Sequence, residues 1–330
     1  MSLPTESKAV FQPDPSSTKL ESTTLPIPKA TESEHLIYVY GTSPCLGELG
    51  WEKNFPALFK ERKARVPGTE GAGVIAKAPE GSPYKPGDAV MWRNNAWMWG
   101  SLRGVTAILE ENIAPKPECL SWSEAAATPL STLTAWDGVF THGPLDPAAL
   151  EGDSAARKKN EGYRILITGA SGGVGGWAVR LAAAAGAHVI GFGGGAAADG
   201  CKKDGAEAYL DYKQDDLAQL PEKVDHIFDC TGRDTEKGWS ILKDNGSFVS
   251  VCVDPNSTKP ERKPVKDAKW FLVEPSGKNL ARISKLIQQK GWKPVLDSVV
   301  PYDQFQQAYD KVDSGKTRGK IVIAVHEDAA

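Results

Sequence analysis

The chain has 330 residues and a formal net charge of -3, which is length enough for two domains of ordinary size and gives no general pull towards nucleic acid or an anionic membrane. No apolar run reaches the roughly 18 residues needed to cross a bilayer, and residues 1–28 are polar and proline-rich where a signal peptide would be apolar. Five scattered cysteines, Cys45, Cys119, Cys201, Cys230 and Cys252, form no Cys-x-x-Cys pair, so free thiols and a cytoplasmic location are expected.

In chain order, short apolar runs at residues 35–40, 73–76 and 88–92 predict strands, the last fed by the turn Pro86-Gly87-Asp88, and residues 109–113 predict another before Pro115 and Pro117. This is the texture of a β-rich domain. From Ser123 it changes: residues 124–140 are helical in composition, and the polar stretch 144–161 reads as a surface loop or solvated insertion.

The next stretch organises the rest. Ile165 to Ile167 is a short buried-strand pattern, and Gly169, Ala170, Ser171, Gly172, Gly173, Val174 and Gly175 follow it at once. Such a run gives a tight turn and a bare backbone on which a pyrophosphate can rest, with the amides of Gly172 to Gly175 as donors. Val174, Trp177, Ala178, Leu181, Ala182 and Ala185 then keep helical spacing up to Gly186, and residues 188–192 predict the next strand. Strand, glycine turn, helix and strand in that order predict a dinucleotide site. Further strand runs at 208–212, 224–230 and 246–253 alternate with helix-length segments, which predicts a parallel sheet covered by helices. Residues 278–289 predict a helix, Asp303-x-x-Gln306 a capping box opening a helix that ends at Gly315, and residues 320–325 a last strand.

With these pieces placed, the chain resembles the medium-chain dehydrogenase/reductase superfamily, and within it the zinc-free branch of quinone oxidoreductases and enoyl reductases. Four stretches carry the resemblance: Val66-Pro-Gly-Thr-Glu-Gly-Ala-Gly73 with Pro86-Gly-Asp-Ala-Val90, Ala125 to Trp136, Thr168 to Gly175, and Gly315 to Ile323. It implies an α/β chain made of a GroES-like β-rich catalytic domain, residues 1–124 and 270–330, and a Rossmann domain with a doubly wound parallel sheet, residues 125–269, binding NADP. The short-chain dehydrogenase pattern also fits Thr168 to Gly175, with Tyr209-x-x-x-Lys213 mimicking that family's catalytic pair, but there the glycines open the chain and the pair lies far downstream.

The resemblance also sorts the chemistry. Zinc alcohol dehydrogenases of the superfamily place a ligand histidine in Gly-His-Glu, where this chain has Thr69, and no cluster of four cysteines offers a structural zinc. No metal is expected, and Cys45 is read as a pocket-lining or buried thiol. Without a Lewis acid the accessible reaction is hydride delivery from NADPH to an already polarised small molecule, a quinone or the β-carbon of an enone or enal. A hydrogen-bond donor must then meet the developing oxyanion. The branch usually has Asn-Pro-x-Asp here, whereas Ser43 and Leu46 replace its polar pair, leaving Ser43, Thr134 and a nearby tyrosine as candidate donors.

At the end of the second strand of the fold, Gly191 to Gly195 offers no carboxylate for a ribose diol, which favours NADP. The family's serine and lysine for the 2'-phosphate fall on Gly194 and Ala197, so Lys202, Lys203 or Tyr212 must take that role, unless the lysines are simply a solvated helix face. Thr231 and Cys252 follow two later strands and are expected at the cofactor, while Lys316, Arg318 and Lys320 either reach a phosphate or form a solvated turn. Cys45, Trp51, Trp92, Trp97, Trp99 and Phe271 are read as the substrate pocket, Trp97 and Trp99 sharing a face if the chain is extended there. A homodimer, through edge strands of the nucleotide domain, or a monomer is expected by analogy. The rival reading is a dinucleotide binder with little turnover, suggested by the missing Asn, Asp, Ser and Lys.

Overall fold

The structure is a computed structural model and describes residues 3–329. Contacts divide the chain into two compact units, one reaching Leu130 and resuming at Glu274, the other spanning Ser131–Val273. The chain opens with an antiparallel hairpin, β1 (Glu6–Phe11) and β2 (Glu21–Pro26). Five strands follow: β3 (Glu34–Thr42), β4 (Glu70–Lys77), β5 (Ala89–Arg93), β6 (Val105–Leu109) and β7 (Ile113–Pro115). The second unit contains β8 (Arg164–Thr168), β9 (His188–Gly193), β10 (Ala208–Asp211), β11 (Val224–Asp229), β12 (Leu242–Ser250) and β13 (Asp267–Trp270). The chain returns to the first unit with β14 (Leu296–Pro301) and β15 (Lys320–Ala324).

Among the described residues the first unit's main sheet has seven strands in the order β14-β15-β3-β4-β5-β7, with β6 also paired to β3. Strand β15 from the chain's end lies antiparallel to β3, Ile323 opposite Thr42, so this unit is built from both ends of the sequence. Ile37, Ile75, Val90, Trp92 and Ile323 are buried to 1% exposure or less and make its core, each large side chain contributing roughly 1.5–3 kcal/mol of transfer free energy.

The second unit's sheet is parallel throughout in the order β10-β9-β8-β11-β12-β13. Numbered within this unit that is 3-2-1-4-5-6, the doubly wound Rossmann order, and the chain reverses direction across the sheet between β8 and β11. Ile165, Leu166, Ile167, Val189, Ile190, Ile227 and Phe228 are fully buried, as strands covered on both faces must be.

Several local expectations change. The proline-rich start holds the β1–β2 hairpin, whose Ala9 and Val10 are fully buried. A 3₁₀ turn, Glu110–Asn112, divides β6 from β7 where one strand was expected. The stretch 144–161 is not a loop: a 3₁₀ helix, Pro147–Glu151, and an α-helix, Ser154–Asn160, pack there through the buried Asn160 amide, which donates to the carbonyls of Asp146 and Ala185, each at 3.0 Å. Gln306 does not close a capping box; it accepts from the Leu20 amide at 2.9 Å, and its helix, Phe305–Asp313, starts without a side-chain cap.

Candidate functional site

In the second unit β8 runs directly into the glycine turn. Gly169 has φ +59°, in the left-handed region, and the helix Gly173–Ala184 opens four residues later. A Cβ on Gly175 would lie 2.2 Å from the Gly169 carbonyl oxygen, so the helix can approach the strand this closely only with glycine there. The result is a helix start of bare backbone at the carboxyl edge of the parallel sheet, beside the point where strand order reverses, which is where this fold takes a pyrophosphate.

The other candidate cofactor residues rim the same edge. Thr231 follows β11 and Cys252 follows β12, with Cys252 exposed. Although the residue as a whole is exposed, partial withdrawal of its thiol from water, then the nearby Asp229 carboxylate, raises that thiol to about 11. Gly194 follows β9, its carbonyl accepting the Tyr209 hydroxyl at 2.8 Å. Tyr212 is 52% exposed just beyond β10, with the Lys213 ammonium 5.9 Å from its ring centroid. Lys202 and Lys203 are exposed in the last turn of the helix Ala198–Lys203.

One expectation here is corrected. A carboxylate does stand at this corner: Asp211, at the end of β10, holds its Oδ2 2.3 Å from where a Cβ on Gly195 would be. Sequence order hides it, because it comes from the neighbouring strand, where Asp211 pairs with Gly193.

Reading also missed Asp229, the last residue of β11. The residue is 2% exposed and its carboxylate accepts from the Thr168 hydroxyl at 2.6 Å, the Ser250 hydroxyl at 2.8 Å, the amides of Thr231 and Gly232 at 3.0 Å, and the Thr231 hydroxyl at 3.1 Å. The only sequence signal is an acid closing an apolar strand immediately before Cys230-Thr-Gly232.

In the first unit the predicted catalytic position Ser43 is fully buried and donates its hydroxyl to the Ile321 carbonyl at 2.7 Å, which commits its one proton to the sheet. Thr134, in the second unit, is buried on the helix Pro129–Trp136. Next to Ser43, the Lys320 ammonium is neither a phosphate contact nor in a solvated turn: it lies 2.8 Å from Glu70 Oε1, donates to the Pro44 carbonyl at 3.2 Å, and its side chain is 12% exposed. Burial works to lower Lys320, but Glu70, Cys45 and Glu48 outweigh it and hold it above the ordinary lysine value. The other Glu70 oxygen accepts the Leu130 amide at 2.8 Å. Burial raises the Cys45 thiol to about 11.

The residues of this cluster do not fit zinc. An ammonium already neutralises Glu70, and Thr69 offers only a hydroxyl where zinc takes thiolate, imidazole or carboxylate. Among the described residues no group of three or more His, Cys, Asp or Glu could hold a metal ion.

Within the first unit the predicted pocket tryptophans go separate ways. Trp92 is a core residue, fully buried, with its indole N–H on the Ser101 hydroxyl at 3.0 Å, so it lines no pocket. The chain turns rather than extends beyond it, the Met98 amide bonding back to the Asn95 carbonyl, and Trp97 and Trp99 part. Trp97 meets Phe59 edge-on and lines a cavity of about 280 Å³ with Asn94, Asn95, Met98 and Glu274, whereas Trp99 packs on the small Leu36, Val105 and Ala107 cluster. Trp51 is half-buried on a short helix, Trp51–Asn54, and Phe271 packs in the second unit against His142 and Phe228.

A doubly wound sheet with a glycine turn at its reversal point, joined in one chain to a β unit made from both termini, defines a two-domain nicotinamide-dinucleotide oxidoreductase. Comparison with known proteins agrees, and the chain belongs to the medium-chain dehydrogenase/reductase superfamily. Residues 205–323 match a family model described as zinc-binding dehydrogenase. The chain is 38% identical, over 98% of both lengths, to a probable zinc-binding oxidoreductase, mitochondrial, of Arthroderma benhamiae. It is 30% identical over 74% of its length, and 68% of the relative's, to the mitochondrial NAD(P)H oxidoreductase RTN4IP1 of Danio rerio. Against 2-methylene-furan-3-one reductase of Solanum lycopersicum it is 29% identical, over 98% of this chain and 80% of that one.

The chain is thus an oxidoreductase of small molecules with a nicotinamide cofactor. The expectation of a cytoplasmic location is corrected, since the first two of these relatives are named mitochondrial. No described helix is long and apolar enough to cross a membrane.

Proposed function

We propose that the chain is a mitochondrial, NADPH-dependent, zinc-independent reductase that delivers hydride to the conjugated double bond of an enone or enal, or to a quinone. The observation that carries this reading is the buried Lys320–Glu70 pair, next in the chain to Thr69, the position on which the resemblance puts the zinc-ligand histidine. With no Lewis acid, the acceptor must arrive polarised, and conjugation does that. A relative named for reducing a methylene-furanone supports the same chemistry.

Gly169 to Gly175 would hold the dinucleotide's pyrophosphate, Gly194, Lys202 and Tyr212 its adenosine end, and Thr231 and Cys252 its nicotinamide end. When bound, the cofactor supplies the hydride; the chain's residues orient it and exclude water. Asp211 bears on the choice of cofactor. One of its oxygens accepts the Lys213 amide at 3.0 Å, and Lys202, Lys203 and Tyr212 remain the candidate phosphate partners.

The commitment of Ser43 to a backbone carbonyl favours one second reading, a dinucleotide binder with little turnover. Titration with NADPH and NADH, followed by energy transfer from tryptophan to the reduced nicotinamide, and then turnover on enones and quinones with and without a chelator, tests both. NADPH preference with chelator-resistant turnover supports the reductase. Binding without turnover supports the binder, and equal or tighter NADH binding assigns the ribose diol to Asp211.

A further inference from the structure

We propose that Asp229 is the positioning residue for the nicotinamide half of the cofactor, acting by tying together the loops at the ends of three adjacent strands. The inference rests on the dinucleotide reading above and goes beyond it. The ends of β8, β11 and β12 carry the glycine turn, Cys230 to Gly232, and Val251 to Val253. The last two are fastened to the same carboxylate, directly or through one hydroxyl, and Thr168, the residue before the glycine turn, donates to it.

Thr168 donates its hydroxyl to Asp229 and accepts the Cys230 amide at 2.9 Å, so it joins the first strand's end to the turn after β11. Ser250 donates its hydroxyl to Asp229 and accepts the amides of Cys252 and Val253 at 3.1 and 3.2 Å, which fixes the turn after β12. Asp229 itself holds the Thr231 and Gly232 amides. Five loop amides are therefore held by one buried acceptor and its two hydroxyl partners, and an anionic acceptor makes the bonds to it stronger than neutral ones.

The placement gives this network its direction. A doubly wound sheet consists of two mononucleotide-binding halves, here β8-β9-β10 and β11-β12-β13, with the ligand across the gap between them. Apart from the bond from Thr168, the hydrogen bonds to the Asp229 carboxylate come from the second half. Its loss therefore loosens the nicotinamide side while the adenosine side, fixed by the glycine turn and β9, stays formed.

The test uses the full chain and two ligands: ADP, which fills the adenosine half alone, and reduced dinucleotide, which fills both. Asp229→Asn puts an N–H among donors. It is expected to weaken reduced dinucleotide about tenfold and leave ADP within about twofold of wild type. Ser250→Ala, which keeps the carboxylate and frees two amides, is expected to shift the same ratio by about threefold, and Thr168→Ser, which keeps the hydroxyl, not at all. Parallel weakening of ADP and dinucleotide in Asp229→Asn or Ser250→Ala, or no weakening of either, overturns the proposal. Should Asp229→Asn not fold, the Ser250→Ala and Thr168→Ser pair decides alone. Wild-type protein that binds neither ligand overturns the dinucleotide reading itself, and this inference with it.

Discussion

Glu70 in the β unit and Asp229 in the Rossmann unit are both buried carboxylates at strand ends, and their charges are balanced in opposite ways. Glu70 faces an ammonium at 2.8 Å and takes one backbone amide, whereas Asp229, among the described residues, is held by amides and hydroxyls with no ion pair. A cation concentrates the compensation in one partner, so the arrangement is brittle: remove Lys320 and most of it goes. Distributed donors share the compensation, so losing one leaves most of it in place. The first design suits a fixed charge, the second a junction that must hold several loops at once.

The largest effect should come from breaking the concentrated pair. Lys320→Met leaves Glu70 buried with a single amide, and a lone buried charge costs about 3–5 kcal/mol. Urea denaturation of the full chain should show that loss, and the double variant Glu70→Gln/Lys320→Met should recover most of it, because the charge and its partner leave together. A double variant as unstable as the single one would mean that packing, not charge, governs this site.

The next effect concerns His226, a buried group of the Rossmann unit that stays neutral. It bonds the Ser247 hydroxyl at 2.8 Å and the Gly138 carbonyl at 2.9 Å, and burial lowers it to about 4 from 6.5. The unfolded chain therefore takes up a proton first as pH falls. Its contribution is fully present above pH 6.5 and is lost as pH falls towards 4, amounting to about 3 kcal/mol over that window. Stability measured across it should decline in wild type and decline less in His226→Gln.

How much of this was legible follows from the range of the physics involved. The glycine turn could be read because its requirement is local: a left-handed φ at Gly169 and the absence of a Cβ at Gly175 leave few other residues possible. The parallel strands could be read because both faces are covered and the runs are apolar throughout. Lys320 could not, since its partner lies at position 70 and nothing near it in the chain marks an ion pair. Trp97 and Trp99 misled because spacing specifies a shared face only in a strand, and residues 95–98 turn. Asp229 in Val224-Asp-His-Ile-Phe-Asp229 looks like a solvated acid until the hydroxyls of Thr168 and Ser250 arrive from other strands.

A smaller effect is expected from thinning the distributed network. Ser250→Ala removes one acceptor and one donor but leaves Asp229 its bonds to Thr168, Thr231 and Gly232, so the stability loss should be about 1 kcal/mol by thermal unfolding. A loss as large as that of Lys320→Met would show that the donors act as a unit and that the contrast with Glu70 is false.

The smallest effect isolates what makes the Glu70–Lys320 pair matter. Glu161 also pairs with cations, Arg157 at 3.8 Å and Lys158 at 3.5 Å on one helix end, but these side chains are 43%, 53% and 85% exposed. Water solvates each charge nearly as well as its partner does, and ordering long side chains costs entropy. Glu161→Gln should therefore change stability by less than about 0.5 kcal/mol, with what change there is vanishing in high salt. If it matched Lys320→Met instead, pairing itself would be the stabilising factor; a near-zero result assigns the difference to burial, which removes the alternative of water.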